Sequence, residues 1–117
     1  MEKFAFENLE VYQMALSWVE QVEDICKTIH GKISKTFINQ LSRASLSISL
    51  NIAEGNGRWH KPDKRQFFWI ARGSVFECVP IIQVLHRKKL MTDIQYHEFY
   101  GQLQSMAKML SGLIKSV

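Results

Sequence analysis

The chain has 117 residues, of which 46% are apolar, 22% charged and 11% aromatic, with six glycines, two prolines and two cysteines. Apolar content this high excludes a disordered segment, and two cysteines are too few for a disulfide scaffold. Surface scaling for 13.6 kDa gives about 6,600 Å² exposed when folded against about 20,000 Å² for the extended chain, enough burial for one core and one domain over residues 1–117.

The net charge of +4 is unevenly placed. Residues 1–30 hold six acids and two bases, whereas residues 31–117 hold thirteen bases and five acids, so an acidic face and a basic face are expected. No uninterrupted apolar run approaches the roughly 18 residues that cross a bilayer, and the opening Met-Glu-Lys-Phe-Ala-Phe-Glu-Asn lacks the apolar centre of a secretion signal. A soluble, cytoplasmic chain with no membrane partner is the expectation. Cys26 and Cys78 stand without a second cysteine or histidine at ligand spacing, which reads as buried, reduced thiols.

Apolar residues recur every three or four positions in four segments, and no strand pattern competes. The first helix spans about 9–29, with Leu9, Tyr12, Leu16, Val19, Val22, Cys26 and Ile29 expected inward and Gly31 as its stop. The second, about 35–56, follows the candidate cap Ser34, turns Phe37, Leu41, Ala44, Ile48 and Ile52 inward, and ends at Gly55 or Gly57. The third, about 62–88, opens on Pro62 and closes on Arg87, Lys88 and Lys89, which suit the negative end of a helix dipole. Pro80 interrupts its hydrogen-bond ladder and predicts a local bend. The fourth, about 93–116, opens with the capping box Thr92-Asp93-Ile94-Gln95 and carries Tyr96, Phe99, Leu103, Met106, Leu110, Leu113 and Val117. Short connections between long helices make neighbours antiparallel, so the expected fold is an all-α, up-down-up-down four-helix bundle.

The third helix is apolar nearly all round. Phe67, Phe68, Trp69 and Ile70 are consecutive, and at about 100° per residue they cannot all face one core. Phe67, Phe68 and Trp69 therefore predict a homo-oligomer interface.

Helix 2 also carries a polar stripe of Gln40, Arg43, Ser47, Asn51, Glu54 and Arg58. With the turn centred near residue 60, antiparallel partners have numbers summing to about 120. This sets Arg43 opposite Glu77, Ser47 opposite Gly73 and Ser74, and Glu54 opposite Arg65 or Gln66. The expected outcome is a structural polar network of Arg43, Ser47, Glu54, Ser74 and Glu77. Within it, an Arg43–Glu77 ion pair would cost about 3–5 kcal/mol to break if buried. Catalysis is not indicated. Gly57 and Pro80 occupy the positions three after Glu54 and Glu77 where a di-metal bundle needs histidine. The serines form no triad, and His30, His60, His86 and His97 have no ligand spacing, so no cofactor, metal or catalytic residue is assigned.

Gly55-Asn56-Gly57 follows a helix rather than a strand and lacks the Gly-Lys-Ser/Thr of a nucleotide loop. Beyond it, Arg58, His60, Lys61, Lys64, Arg65 and Arg72 gather around the start of helix 3 with only Asp63 opposing. That is a candidate phosphate surface, with Trp59 and Trp69 available to stack on bases. The nucleic-acid-binding candidates are Arg58, Lys61, Lys64, Arg65 and Arg72.

The run from Gln40 to Arg58, with its Asn51-Ile-Ala-Glu54-Gly-Asn-Gly57-Arg58, resembles the bacterial four-helix-bundle proteins encoded by intervening sequences in 23S rRNA genes. Phe67/Phe68, Ile70-Ala-Arg-Gly73-Ser74, Glu77 and the early Phe6-x-x-Leu9-x-Val-Tyr12 extend the resemblance over nearly the whole chain. That family is similar to the accessory variability protein of diversity-generating retroelements, a pentameric barrel whose basic surface engages nucleic acid and a reverse transcriptase. The resemblance implies a non-enzymatic homopentamer that binds RNA or DNA. A ring that recruits a protein partner without nucleic acid is the alternative.

Overall fold

The computed structural model describes all 117 residues as four α-helices. A 3-10 turn, Ala5–Asn8, leads into α1 (Glu10–Ile29), followed by α2 (Lys35–Asn56), α3 (Lys61–Arg87) and α4 (Asp93–Ser116). Consecutive helices pack on each other and α4 returns to α1, which gives the antiparallel bundle that the patterning predicts. The molecule measures 44 × 30 × 24 Å and exposes 7460 Å², more than the about 6,600 Å² of an average fold of this mass.

Two of the helices start on a local signal, whereas Ser34, the expected cap of α2, stands at the N-cap position without a side-chain cap bond. At α4 the Thr92 side chain accepts from the Gln95 backbone at 3.1 Å, and the Gln95 side chain accepts from the Thr92 backbone at 2.9 Å. The capping box thereby satisfies two otherwise unpaired donors. Pro62 sits in the first turn of α3, where its missing N–H costs nothing. The helix continues through Pro80 without interruption. The carbonyl that the proline strands belongs to Phe76, an exposed residue where water can reach it.

Most of the expected inward stripes of α2 and α4 are buried (Leu41, Ala44, Ile48 and Ile52, and Phe99, Leu103, Met106 and Leu110), whereas Phe37, Tyr96, Leu113 and Val117 are half-buried and Ile114 takes the inward place in the last turn of α4. The stripe of α1 differs. Val11, Ala15, Trp18, Val22, Ile25 and Ile29 face the core, while Leu9, Tyr12, Val19 and Cys26 are half-buried and Leu16 is exposed. The two stripes have the same spacing and differ by a small rotation, and Trp18 decides between them. Its side chain is wholly buried, donates its indole N–H to Ser45 Oγ at 2.9 Å and meets Phe99 edge-on at 4.9 Å. One residue of α1 thus touches both α2 and α4, and the hydroxyl that satisfies its N–H removes the cost of burying a polar atom. Ser45 also lies 3.7 Å from Cys78 Sγ on α3. Both cysteines are free, and burial pushes the Cys78 thiol up to about 11.

α3 is long and apolar enough by length and composition to cross a membrane, and 39% of its most apolar stretch is buried inside the bundle.

Candidate nucleic-acid interface

The end of the bundle formed by the α2–α3 turn is shaped by one glycine. A Cβ on Gly55 would stand 2.8 Å from Phe68 Cε1 and 3.0 Å from Phe67 Cβ, so α3 packs directly on the α2 backbone there. Gly73, the position expected to permit close approach, has open space around it. Gly57 takes φ −78° and ψ −8°, a right-handed conformation open to any residue. The tight approach of the two helices therefore falls at Gly55 and not at Gly73. Lack of a side chain at Gly55 seats Phe68 in the core at 2% exposure, and this removes Phe68 from the expected oligomer interface. Phe67 is half-buried beneath the Arg58 guanidinium, 4.6 Å from the ring centre. Of the three aromatics, Trp69 alone turns outward, 52% exposed, in company with Ile70 and Phe76.

The polar stripe divides in two. Ser74 Oγ donates to Ser47 Oγ at 2.8 Å, and Asn51 Nδ2 donates to Ser47 Oγ at 2.9 Å and to the Ser47 carbonyl at 2.8 Å. The charged members take no part. Arg43 and Glu77 are both exposed and form no ion pair; the ion pairs of the chain are Lys27–Glu23, Arg58–Glu54 and His86–Asp93. The expected Arg43–Glu77 pair fails because water solvates both groups, and only desolvation would force them together. Glu54 likewise turns not to Arg65 or Gln66 on α3 but along its own helix to Arg58, at 3.1 Å.

The five basic candidates gather at or near this end, but four are already engaged. Arg58 holds Glu54. Lys64 Nζ donates to the Asn56 carbonyl at 2.8 Å, and Arg65 Nη1 donates to the Val117 carbonyl at 2.8 Å. Arg72 Nε donates to Ser111 Oγ at 3.0 Å while its guanidinium lies 4.6 Å from the Phe76 ring centre and 5.6 Å from that of Trp69. Lys61 is exposed and bonds to no other side chain. The Arg65–Val117 bond also brings the last turn of α4 to this end, and with it exposed Lys115. Lys115 escapes sequence reading because only the antiparallel return of α4 connects it to residues fifty positions earlier.

A wide cleft of about 1010 Å³ opens beside these groups, lined by the last turns of α2 and by Trp59, His60 and Asp63. No group of three or more His, Cys, Asp or Glu side chains in the chain is placed to hold a metal ion.

An all-helical bundle with a cation-rich end is the class of protein that this geometry defines. Residues 7–112 match the model of the 23S rRNA-intervening sequence protein family, and the chain belongs to that family. Its fold is similar to the crystal structure of a protein of unknown function from the S23 ribosomal protein family of Bacteroides thetaiotaomicron. The TM-score is 0.84 at 22% identity, over 90% of this chain and 98% of that one. No curated protein matches. Neither match indicates an enzymatic activity.

Proposed function

We propose that the chain is a non-enzymatic, homo-oligomeric bundle protein that binds the phosphates of RNA or DNA with the end formed by the α2–α3 turn. The observation that supports this best is the convergence there of Arg58 from the α2–α3 turn, Lys61, Lys64 and Arg65 from α3 and Lys115 from α4, against Glu54 and Asp63. His60, the residue before α3, makes no side-chain cap, so the first amides of that helix add to the positive potential. Assembly is supported by the outward Trp69, Ile70 and Phe76 of α3 and by Leu46 of α2, which are between 41% and 53% exposed. The family resemblance sets five as the subunit number to test. The compartment in this reading is the cytoplasm, where two free thiols persist.

Anisotropy titrations of labelled RNA and DNA across a salt series test the binding. Affinity falls steeply with salt. In Arg58→Ala with Lys61→Ala, the slope of log affinity against log salt becomes shallower by about 0.7–0.9 for each phosphate no longer neutralised. No binding at low salt, or binding indifferent to these replacements, overturns the reading. Light scattering tests assembly: a mass near 13.6 kDa at micromolar concentration removes the oligomer.

The internal bonds of Arg58, Lys64, Arg65 and Arg72 favour the second reading, an assembled scaffold that recruits an acidic protein partner without nucleic acid. A pull-down of such a partner that survives nuclease treatment distinguishes the two.

A further inference from the structure

Trp59 is 94% exposed, and its indole neither stacks on another ring nor lies beneath a guanidinium. The other aromatics of this region differ, since half-buried Phe67 is covered by Arg58, and outward Trp69 and Phe76 by Arg72. Trp59 therefore presents the one large π face here without an internal partner, and it forms a wall of the cleft over the last turns of α2.

The rest of the lining is rich in hydrogen-bond acceptors. Asn51 spends its Nδ2 donor on Ser47, which leaves Oδ1 without a protein donor. Glu54 uses Oε2 on Arg58, which leaves Oε1 free. Asp63 makes no ion pair and lines the same cleft. Leu50 and Ala53 supply an apolar floor. Arg58 precedes Trp59 in the chain, and His60 and Lys61 follow it.

We infer that this cleft takes one unpaired base of a single strand, stacked on Trp59, and prefers guanine. A ring among acceptors selects a base edge bearing donors. Guanine offers N1–H and N2–H₂, and a carboxylate can accept from both. Adenine and uracil each offer fewer donors on that edge. In a duplex the same edge is already paired, so the cleft discriminates against double strands. Neighbouring phosphates lie toward Arg58 and Lys61. This inference rests on the nucleic-acid reading above and adds the ligand's strandedness and base.

The test uses labelled heptanucleotides of uridine with a central guanosine, inosine or adenosine, and the guanosine strand annealed to its complement. Each is made in ribose and deoxyribose form, so that the preferred sugar identifies the source strand. Anisotropy at low salt is expected to show the guanosine strand bound about 10-fold more tightly than the adenosine strand, with inosine between them and the duplex weaker. Trp59→Leu, which keeps apolar bulk but removes the π face, weakens the guanosine strand by about 10-fold to 100-fold. Trp59→Tyr restores most of the affinity, and Glu54→Gln narrows the guanosine preference. Lys61→Ala weakens all strands alike. Thermal melting and sedimentation of the Trp59 variants should match the parent. If the parent binds every strand with a normal salt dependence but ignores base, pairing and Trp59→Leu, this inference falls and the phosphate reading stands. If the parent binds no strand at low salt, both fall.

Discussion

Trp18 and Trp59 are the same side chain in opposite circumstances. Trp18, midway along α1, is wholly buried, while Trp59, between α2 and α3, is 94% exposed. The difference is not hydrophobicity, which is identical. Trp18 meets a hydroxyl on α2 at 2.9 Å and a ring on α4 at 4.9 Å, so its polar atom and its apolar body are both satisfied inside. Trp59 follows the end of α2 and precedes the first turn of α3, where neither helix can cover it. The interior indole is fixed by the fold, and the exterior one is available to a ligand.

Alanine at each position is the strongest way to break that contrast. Trp18→Ala removes the bond to Ser45 and opens a cavity at the centre of the bundle, and it should cost about 3–5 kcal/mol in urea unfolding. Trp59→Ala should move stability by no more than about 0.5 kcal/mol. Equal losses would mean that the exposed ring has a packing role and is not free to receive a ligand.

The same pair shows what the sequence makes legible. The stripes of α2 and α4 are readable because their inward positions carry Leu, Ile, Phe and Met while their neighbours are mostly polar. The stripe of α1 is misread because a three-and-four spacing laid from Leu9 selects Tyr12 and Leu16 over Ala15 and Trp18. The fact that reverses them, a serine on another helix placed to accept the indole proton, is a tertiary relation. The same limit explains Arg43 and Glu77. Antiparallel register brings Ser47 to Ser74 at 2.8 Å, but register does not say which way a long charged side chain leaves the surface. The basic cluster is plain in the sequence as a run of residues, whereas its internal bonds to Asn56, Ser111 and Val117 depend on the helix ends meeting in space.

Glycine substitutions sharpen the comparison at the junction between interior and turn. Gly55→Val drives a branched side chain into Phe68 and the Phe67 Cβ, which have little room to withdraw, and should destabilise by about 1–3 kcal/mol. Gly57→Ala, two residues on, places its Cβ 3.6 Å from the nearest backbone oxygens at an ordinary right-handed φ. It should stabilise by about 0.4–1 kcal/mol through a less flexible unfolded chain. Opposite signs two positions apart locate the boundary of the packed core. Two losses would extend packing out toward Trp59.

The smallest effect belongs to the far end of the bundle, where an exposed ion pair closes the α3–α4 connection. His86 Nε2 and Asp93 Oδ1 lie 2.6 Å apart, and His86 stacks on Tyr96 with ring centres 4.2 Å apart. The hydrogen bond from His86, and then its charge, hold the Asp93 carboxyl below its ordinary value of 3.8. A carboxyl depressed in the folded state stabilises the fold above its unfolded value. That contribution is lost as pH falls through the lower folded value. Urea midpoints should therefore fall more for the parent than for Asp93→Asn between about pH 5 and pH 2, with near-parallel behaviour from about pH 5 to pH 6. The pair is solvated, so the difference should be small beside the loss at Trp18. Identical acid profiles for parent and variant would show that the bond is not held in solution. The α3–α4 turn would then rest on its backbone bonds, its capping box and buried Met91.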